Sequence, residues 1–434
     1  MPRALLCWEN GEGSGHVVPY LSLVEALVAR GWHVAVAAKN TAEVGARVHA
    51  SGAELMQAPL CLSLFPDLDS QSFSTTELLL QHGYGHQPTL SGIVSSWLGM
   101  MRSWQPDLVI GSGAPGAHLV AQCLGIPDVA IGSGFNCFIP VNPAPLMRAW
   151  QPGIEQRISQ SEDRALQTIN AVMTKHGFAK RAFAMDVFRD VPQLLCTVAE
   201  FDHFVDFRGE SDYLGMLPAA SSPAQATANS SGLPEQGHDD IAAHSPADNL
   251  EVDVFVYLRH TALSEALLAA LAKSGLKTLV YMPGISPMQR LQWRGKHGPA
   301  VSFADAAVDI PQVLAQVRLV VSNAGHNLTL QTLLAGKPML LLPAHWEQGV
   351  VAQRAVKLGA AIEAAPAVQN PKFKRWIEAL IQDASYQQSA QQFAHKYSSI
   401  NPRDSLAKSI ELCERRAGHP VSRPQTRAQL SAVR

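Results

Sequence analysis

The sequence has no long apolar run, no paired cysteines and no surplus of charge. No window approaches the roughly 20 apolar residues that a membrane-spanning helix needs. The N-terminal run from Ala4 to Trp8 is too short for a signal-peptide core, and no small-residue cleavage pattern follows it. Cysteines stand singly at 7, 61, 123, 137, 196 and 413, with no Cys-x-x-Cys pair, which argues against a zinc site and a disulfide framework. The formal net charge of −2 offers no footing for a nucleic-acid partner. These absences predict a reduced, cytoplasmic, soluble protein and leave only a peripheral membrane contact open. Periodicity is missing from Pro218 to Asn249, which is rich in Ala, Ser, Pro, Gln, Asn and Gly. That stretch reads as a linker.

What is present is α/β material. Apolar residues make up 47% of 434, enough for two or three cores. A strand from Ala4 to Trp8 is followed by Gly11-Glu12-Gly13-Ser14-Gly15-His16, then a helical pattern from about Val17 to Arg30 and a strand from His33 to Ala38. This is a βαβ unit with a glycine-rich turn, where glycines let another molecule approach the backbone. It fails as a dinucleotide fingerprint: the glycine spacing differs, and Ala37-Ala38-Lys39 stands where an acid should end the second strand. His16, at the start of the expected helix, should be held neutral by the helix dipole and could act as a general base; capping or loop duty is the plainer alternative. Further strand–helix alternation brings Gly111-Ser112-Gly113 to a strand end. His82 and His86 lie four apart, but the glycines between them predict a loop rather than a metal pair. Residues from about 143 to 190 read as irregular helices rich in Met, Phe and Trp, including Trp150: core, or cover for an apolar ligand.

A second βα series follows the linker. In it, the run Val320 to Ser322 ends in Asn323-Ala324-Gly325, and a helical pattern with Leu328, Leu330, Leu333 and Leu334 stops at Gly336-Lys337-Pro338 before another apolar run, Met339 to Leu342. Strand, turn, helix and strand put free backbone N–H groups and the positive end of a helix dipole at a sheet's C-terminal edge, where α/β folds bind phosphates. The alternative is that Asn323 and Gly325 merely make a tight turn and cap a helix. The expected organisation is an N-terminal domain (1–217), a linker (218–250), a second domain (251–400), a closing helix (401–416) and a tail (417–434).

The second series resembles the donor-binding signature of the family 1 glycosyltransferases, the UDP-glycosyltransferase group that includes bacterial macrolide-type enzymes. Asn323 to Gln331 matches its first part, and Gly336-Lys337-Pro338, Pro343 and Glu347-Gln348 follow in register without a gap. Gly15-His16-Val17-Val18-Pro19 is similar to the family's Gly-His-x-x-Pro, and Asp212-Tyr213-Leu214-Gly215 to its Tyr-x-Gly-Pro. The resemblance implies a GT-B fold: two doubly wound, Rossmann-like parallel-sheet domains facing a cleft. It implies an inverting, metal-independent transfer of a hexose from a UDP- or TDP-sugar to a hydroxyl of a small apolar or lipid-like acceptor, with no cofactor beyond that co-substrate. A non-catalytic nucleotide-sugar binder and a sugar-nucleotide epimerase are the alternatives.

By the same resemblance, Asn323, Gly325, His326, Asn327 and the backbone at Leu328 would hold the diphosphate. Arg259 and Thr261 would sit in a second phosphate loop. Gln331 would face the ribose, and Glu347 and Gln348 would bind the transferred sugar. His16 would be the base, among the acceptor-side loops carrying Gly13, Gly15, Ser112 and Gly113. Asn323 replaces the family's histidine, Leu328 its Ser/Thr and Gln331 its glutamate. Ser112 stands where many members place the aspartate that orients the base, and a base without that carboxylate should be weaker.

Overall fold

A computed structural model describes residues 1–418 except 12, 64, 69–71, 148–152, 221–250, 307 and 365–370. Glu12, Trp150, most of the expected linker and the tail beyond residue 418 lie outside the described residues. The chain forms two compact units. One holds residues up to 220 and takes in the stretch from Asn401; the other holds 251 to Ile400.

The first unit is a six-stranded parallel sheet ordered β3-β2-β1-β4-β5-β6. Its strands are β1 (Arg3–Trp8), β2 (His33–Ala38), β3 (Glu54–Gln57), β4 (Leu108–Ser112), β5 (Asp128–Gly132) and β6 (Gln193–Leu195). β4 and β5 are buried end to end and β1 from Ala4 onward, as near-continuous apolar runs in a doubly covered sheet must be. One face packs on the helix Leu21–Ala29 and, from the far end of the chain, the helix Pro402–Arg416, whose Ile410 and Cys413 join the same core. Ser405 Oγ donates to the Leu214 carbonyl at 2.6 Å, and Arg30 meets Glu414 at 3.2 Å. The closing helix therefore belongs to the N-terminal unit.

The second unit repeats the plan: β7 (Val254–Tyr257), β8 (Thr278–Tyr281), β9 (Val301–Phe303), β10 (Leu319–Ser322), β11 (Met339–Leu341) and β12 (Ala361–Glu363), ordered β12-β11-β10-β7-β8-β9 and all parallel. In both sheets the order reverses beside the first strand, between β1 and β4 and between β7 and β10. Loops leave such a point in opposite directions and open a notch at the strands' C-terminal ends.

Two expectations change. The helical pattern from Val17 resolves into two single 3-10 turns, Ser14–His16 and Val18–Tyr20, before the helix Leu21–Ala29. The stretch read as irregular helices contains one regular helix of 21 residues, Glu155–Lys175. Between His82 and His86, read as a loop, the chain turns at Gly83, φ 92°, and the two rings keep separate partners: His82 Nδ1 bonds the Leu78 carbonyl and His86 Nδ1 bonds Thr89 Oγ1.

Candidate functional site

The notch of the second unit lies between the loop after β7 and the turn after β10. Ala324 takes a left-handed conformation, φ 59°, and its N–H donates to Ser322 Oγ at 3.2 Å. Gly325 is extended and caps the helix His326–Leu334 without any side-chain hydrogen bond. First-turn N–H groups have no intrahelical acceptor, so this end presents donors and a partial positive charge. Leu328 is buried with the apolar side of the helix and offers only its backbone. Asn327 and Gln331 are half-buried and lie one turn apart on the opposite face. His326 is buried beside Asn327, its Nδ1 3.4 Å from Asn327 Oδ1.

Several of the expected ligand side chains are engaged with the protein itself. Asn323 is engaged with the protein on both sides: Oδ1 accepts from the Arg259 N–H at 2.7 Å, and Nδ2 donates to the Leu342 carbonyl at 2.8 Å. Gln348 Oε1 accepts from the Ala344 N–H at 2.8 Å. Thr261 builds the turn into the helix Ser264–Ser274, its N–H donating to Ser264 Oγ at 2.9 Å and its hydroxyl accepting from Leu263 N–H. These side chains shape loops. Arg259 is exposed, and Glu347 stands half-buried in the first turn of the helix Trp346–Lys357, where burial pushes its carboxyl up to about 7.

The notch of the first unit is filled by His16. Its ring stacks on Trp8, centroids 5.6 Å apart and planes 8° off parallel, and is 8% exposed. A Cβ on Gly11 would fall 2.2 Å from Nε2, and one on Gly113 3.3 Å from Nδ1; both glycines hold positive φ. These glycines make room for the imidazole rather than for an approaching ligand. Gly13 also holds positive φ, and no atom crowds Gly15. The ring is neutral, as expected, but for another reason. Burial, with the Lys39 charge behind it, lowers its pKa to about 4, and His16 ends a single 3-10 turn, so no long helix dipole acts on it. Lys39 donates to the Gly11 carbonyl at 3.0 Å, where a dinucleotide site would need an acid. Ser112 is fully buried, and neither its Oγ nor His16 Nδ1 has a hydrogen-bond partner among the described residues.

Two buried groups escaped the sequence reading. Glu9, just past β1, accepts from Trp97 Nε1 at 2.8 Å and the Gly116 N–H at 2.9 Å; it caps the helix Pro115–Leu124 from a distance. Burial raises its pKa to about 7. A lone acid closing a fully apolar strand was the available signal. Asp202 and Arg208 form a buried ion pair, with Tyr213 OH donating to Asp202 at 2.9 Å and Arg208 to the Gly134 and Cys137 carbonyls.

No family model matches the chain. Zeaxanthin glucosyltransferase of Pseudescherichia vulneris is 25% identical over 275 residues, 58% of this chain and 60% of that protein's length. Solved structures match nearly throughout. The glycosyltransferase VinC in complex with dTDP covers 96% of this chain and 99% of its own, at TM-score 0.65 and 18% identity. The calicheamicin glycosyltransferase CalG4 covers 97% and 100%, at 0.65 and 19%. The Streptomyces sp. SF2575 glycosyltransferase SsfS6, complexed with thymidine diphosphate, covers 95% and 100%, at 0.60 and 20%. The chain has the fold of these glycosyltransferases, GT-B, with two Rossmann-like units of the same strand order.

Proposed function

We propose that the chain is a glycosyltransferase that moves a hexose from a UDP- or TDP-sugar to a hydroxyl of a small apolar acceptor, with inversion. The observation that carries this reading is the uncapped N-terminus of the helix His326–Leu334 at a topological switch point, in register with the donor signature. N–H groups of the first turn meet the diphosphate. They stabilise the charge that builds on it as the anomeric bond breaks, so the reading calls on no metal. Glu347 accepts hydrogen bonds from the sugar's hydroxyls, and Asn327 and Gln331 line the diphosphate and ribose side. His16 takes the acceptor's proton as its oxygen attacks. The dTDP complexes of structural neighbours support a nucleoside-diphosphate donor, and the zeaxanthin enzyme supports an apolar acceptor. The reaction takes place in the cytoplasm, as six free cysteines suit.

A second reading is binding without transfer. It is favoured by His16 itself, since an enclosed imidazole with a pKa near 4 and no carboxylate bonded to it among the described residues is a weak base. Release of nucleoside diphosphate in the presence of hydroxylated apolar acceptors separates the two. Transfer predicts acceptor-dependent release that falls about 10²-fold or more in His16→Ala, with donor affinity unchanged. Donor binding with no release, or turnover indifferent to His16, contradicts it.

A further inference from the structure

We infer that Asn323 is a positioning residue: it clamps the loop after β7 to the loop after β11 instead of touching the donor. The inference rests on reading this sheet edge as a donor site. β10 lies between β7 and β11, so a side chain leaving its C-terminal end has one loop on each hand. Asn323 uses both. Its carboxamide oxygen takes the Arg259 N–H at 2.7 Å, and its NH₂ reaches the Leu342 carbonyl at 2.8 Å. Both bonds lie one step past the ladder, whose nearby members include Leu342 N–H to the Ser322 carbonyl at 2.8 Å. A carboxamide is chemically a peptide unit, one acceptor and one donor on a planar group, so Asn323 extends the sheet's bonding beyond its strands. An aspartate of the same size offers acceptors only.

What the clamp holds is the site's spacing. One loop carries Arg259 and Thr261. The other runs from Leu342 to Glu347 and is fastened again where Gln348 accepts from Ala344. Loops fixed at their separation before the donor arrives spare the binding step the cost of ordering them. This gives the replacement of the family's histidine a physical content: the position has gone from ligand to scaffold.

The test combines amide hydrogen exchange with calorimetric titration of UDP and TDP on the full chain. In Asn323→Ala, exchange at the Arg259 amide and across residues 342–345 should quicken at least about tenfold, and nucleoside-diphosphate affinity should fall about tenfold, the factor one ordinary buried hydrogen bond commands. Asn323→Asp should restore protection at Arg259, because the acceptor survives, while leaving 342–345 loose. It also carries the test should the alanine variant not fold. Weakened binding with exchange unchanged at both loops would mean direct ligand contact and overturn the clamp. So would fast exchange with affinity intact. If the unaltered protein binds neither nucleotide, the donor reading fails, and exchange at the two loops still decides the clamp.

Discussion

His16 is held at a protonation state set by its surroundings. It is stacked on Trp8, enclosed by Gly11 and Gly113, and kept neutral. Ser112 is the in-register neighbour of Trp8 on β4, so its side chain leaves the same face of the sheet as the indole. An acid there would face the imidazole. We expect Ser112→Asp to raise the His16 pKa from about 4 toward the ordinary value near 6.5, read by NMR titration of the ring. No movement would show that position 112 does not reach the ring. Glu9 and His16 also set opposed pH dependences. Folded His16 binds its proton less readily than unfolded, so it costs stability as pH falls from 6.5 toward 4. Folded Glu9 holds its proton up to about 7, so it costs stability as pH rises from 4.5 toward 7. Each is worth about 3 kcal/mol across its window, and over pH 4.5–6.5 they offset one another. Relative to the unaltered protein, thermal unfolding of Glu9→Gln should show stability rising with pH in that window, and His16→Gln should show it falling. Parallel curves would refute both assignments.

Elements differ in how much of them the sequence discloses. Strands were legible because their apolar runs are bounded by turn residues, and His33–Ala38 falls where its pattern puts it. The helix Gln87–Trp104 was not read, although Leu90, Ile93, Val94, Trp97, Leu98 and Met101 keep helical spacing; Gly92, Gly99 and four serines obscure it. The backbone of the turn after β10 was legible from the apolar runs and the helical pattern around it. The partners of its side chains were not, because Arg259 lies 64 residues before Asn323 and only the fold brings them together. The same holds for Asp202 and Arg208, which tie β6 and the segment after it to the turn after β5. Removing one member leaves the other charged and buried. Asp202→Ala should therefore cost about 3–5 kcal/mol in denaturant unfolding. A loss under about 1 kcal/mol would show the pair to be dispensable.

The whole molecule uses one plan twice: six parallel strands, one order, one reversal point in each unit. The notches differ in content. The first holds a buried histidine against a glycine-rich turn; the second holds an uncapped helix end with its flanking loops laced by carboxamides. Donor binding at that helix end is the claim on which the functional account stands. His326→Pro tests it most directly. Proline suits the first helical position, and extended Gly325 suits the residue before it, so the helix should survive while one N–H donor is lost together with the buried imidazole. Calorimetric titration should show one UDP or TDP bound per unaltered chain, with affinity about tenfold lower or worse in His326→Pro than in His326→Ala, which loses the same imidazole and keeps the N–H. Equal affinity in the two variants, or no binding to the unaltered chain, would contradict the account.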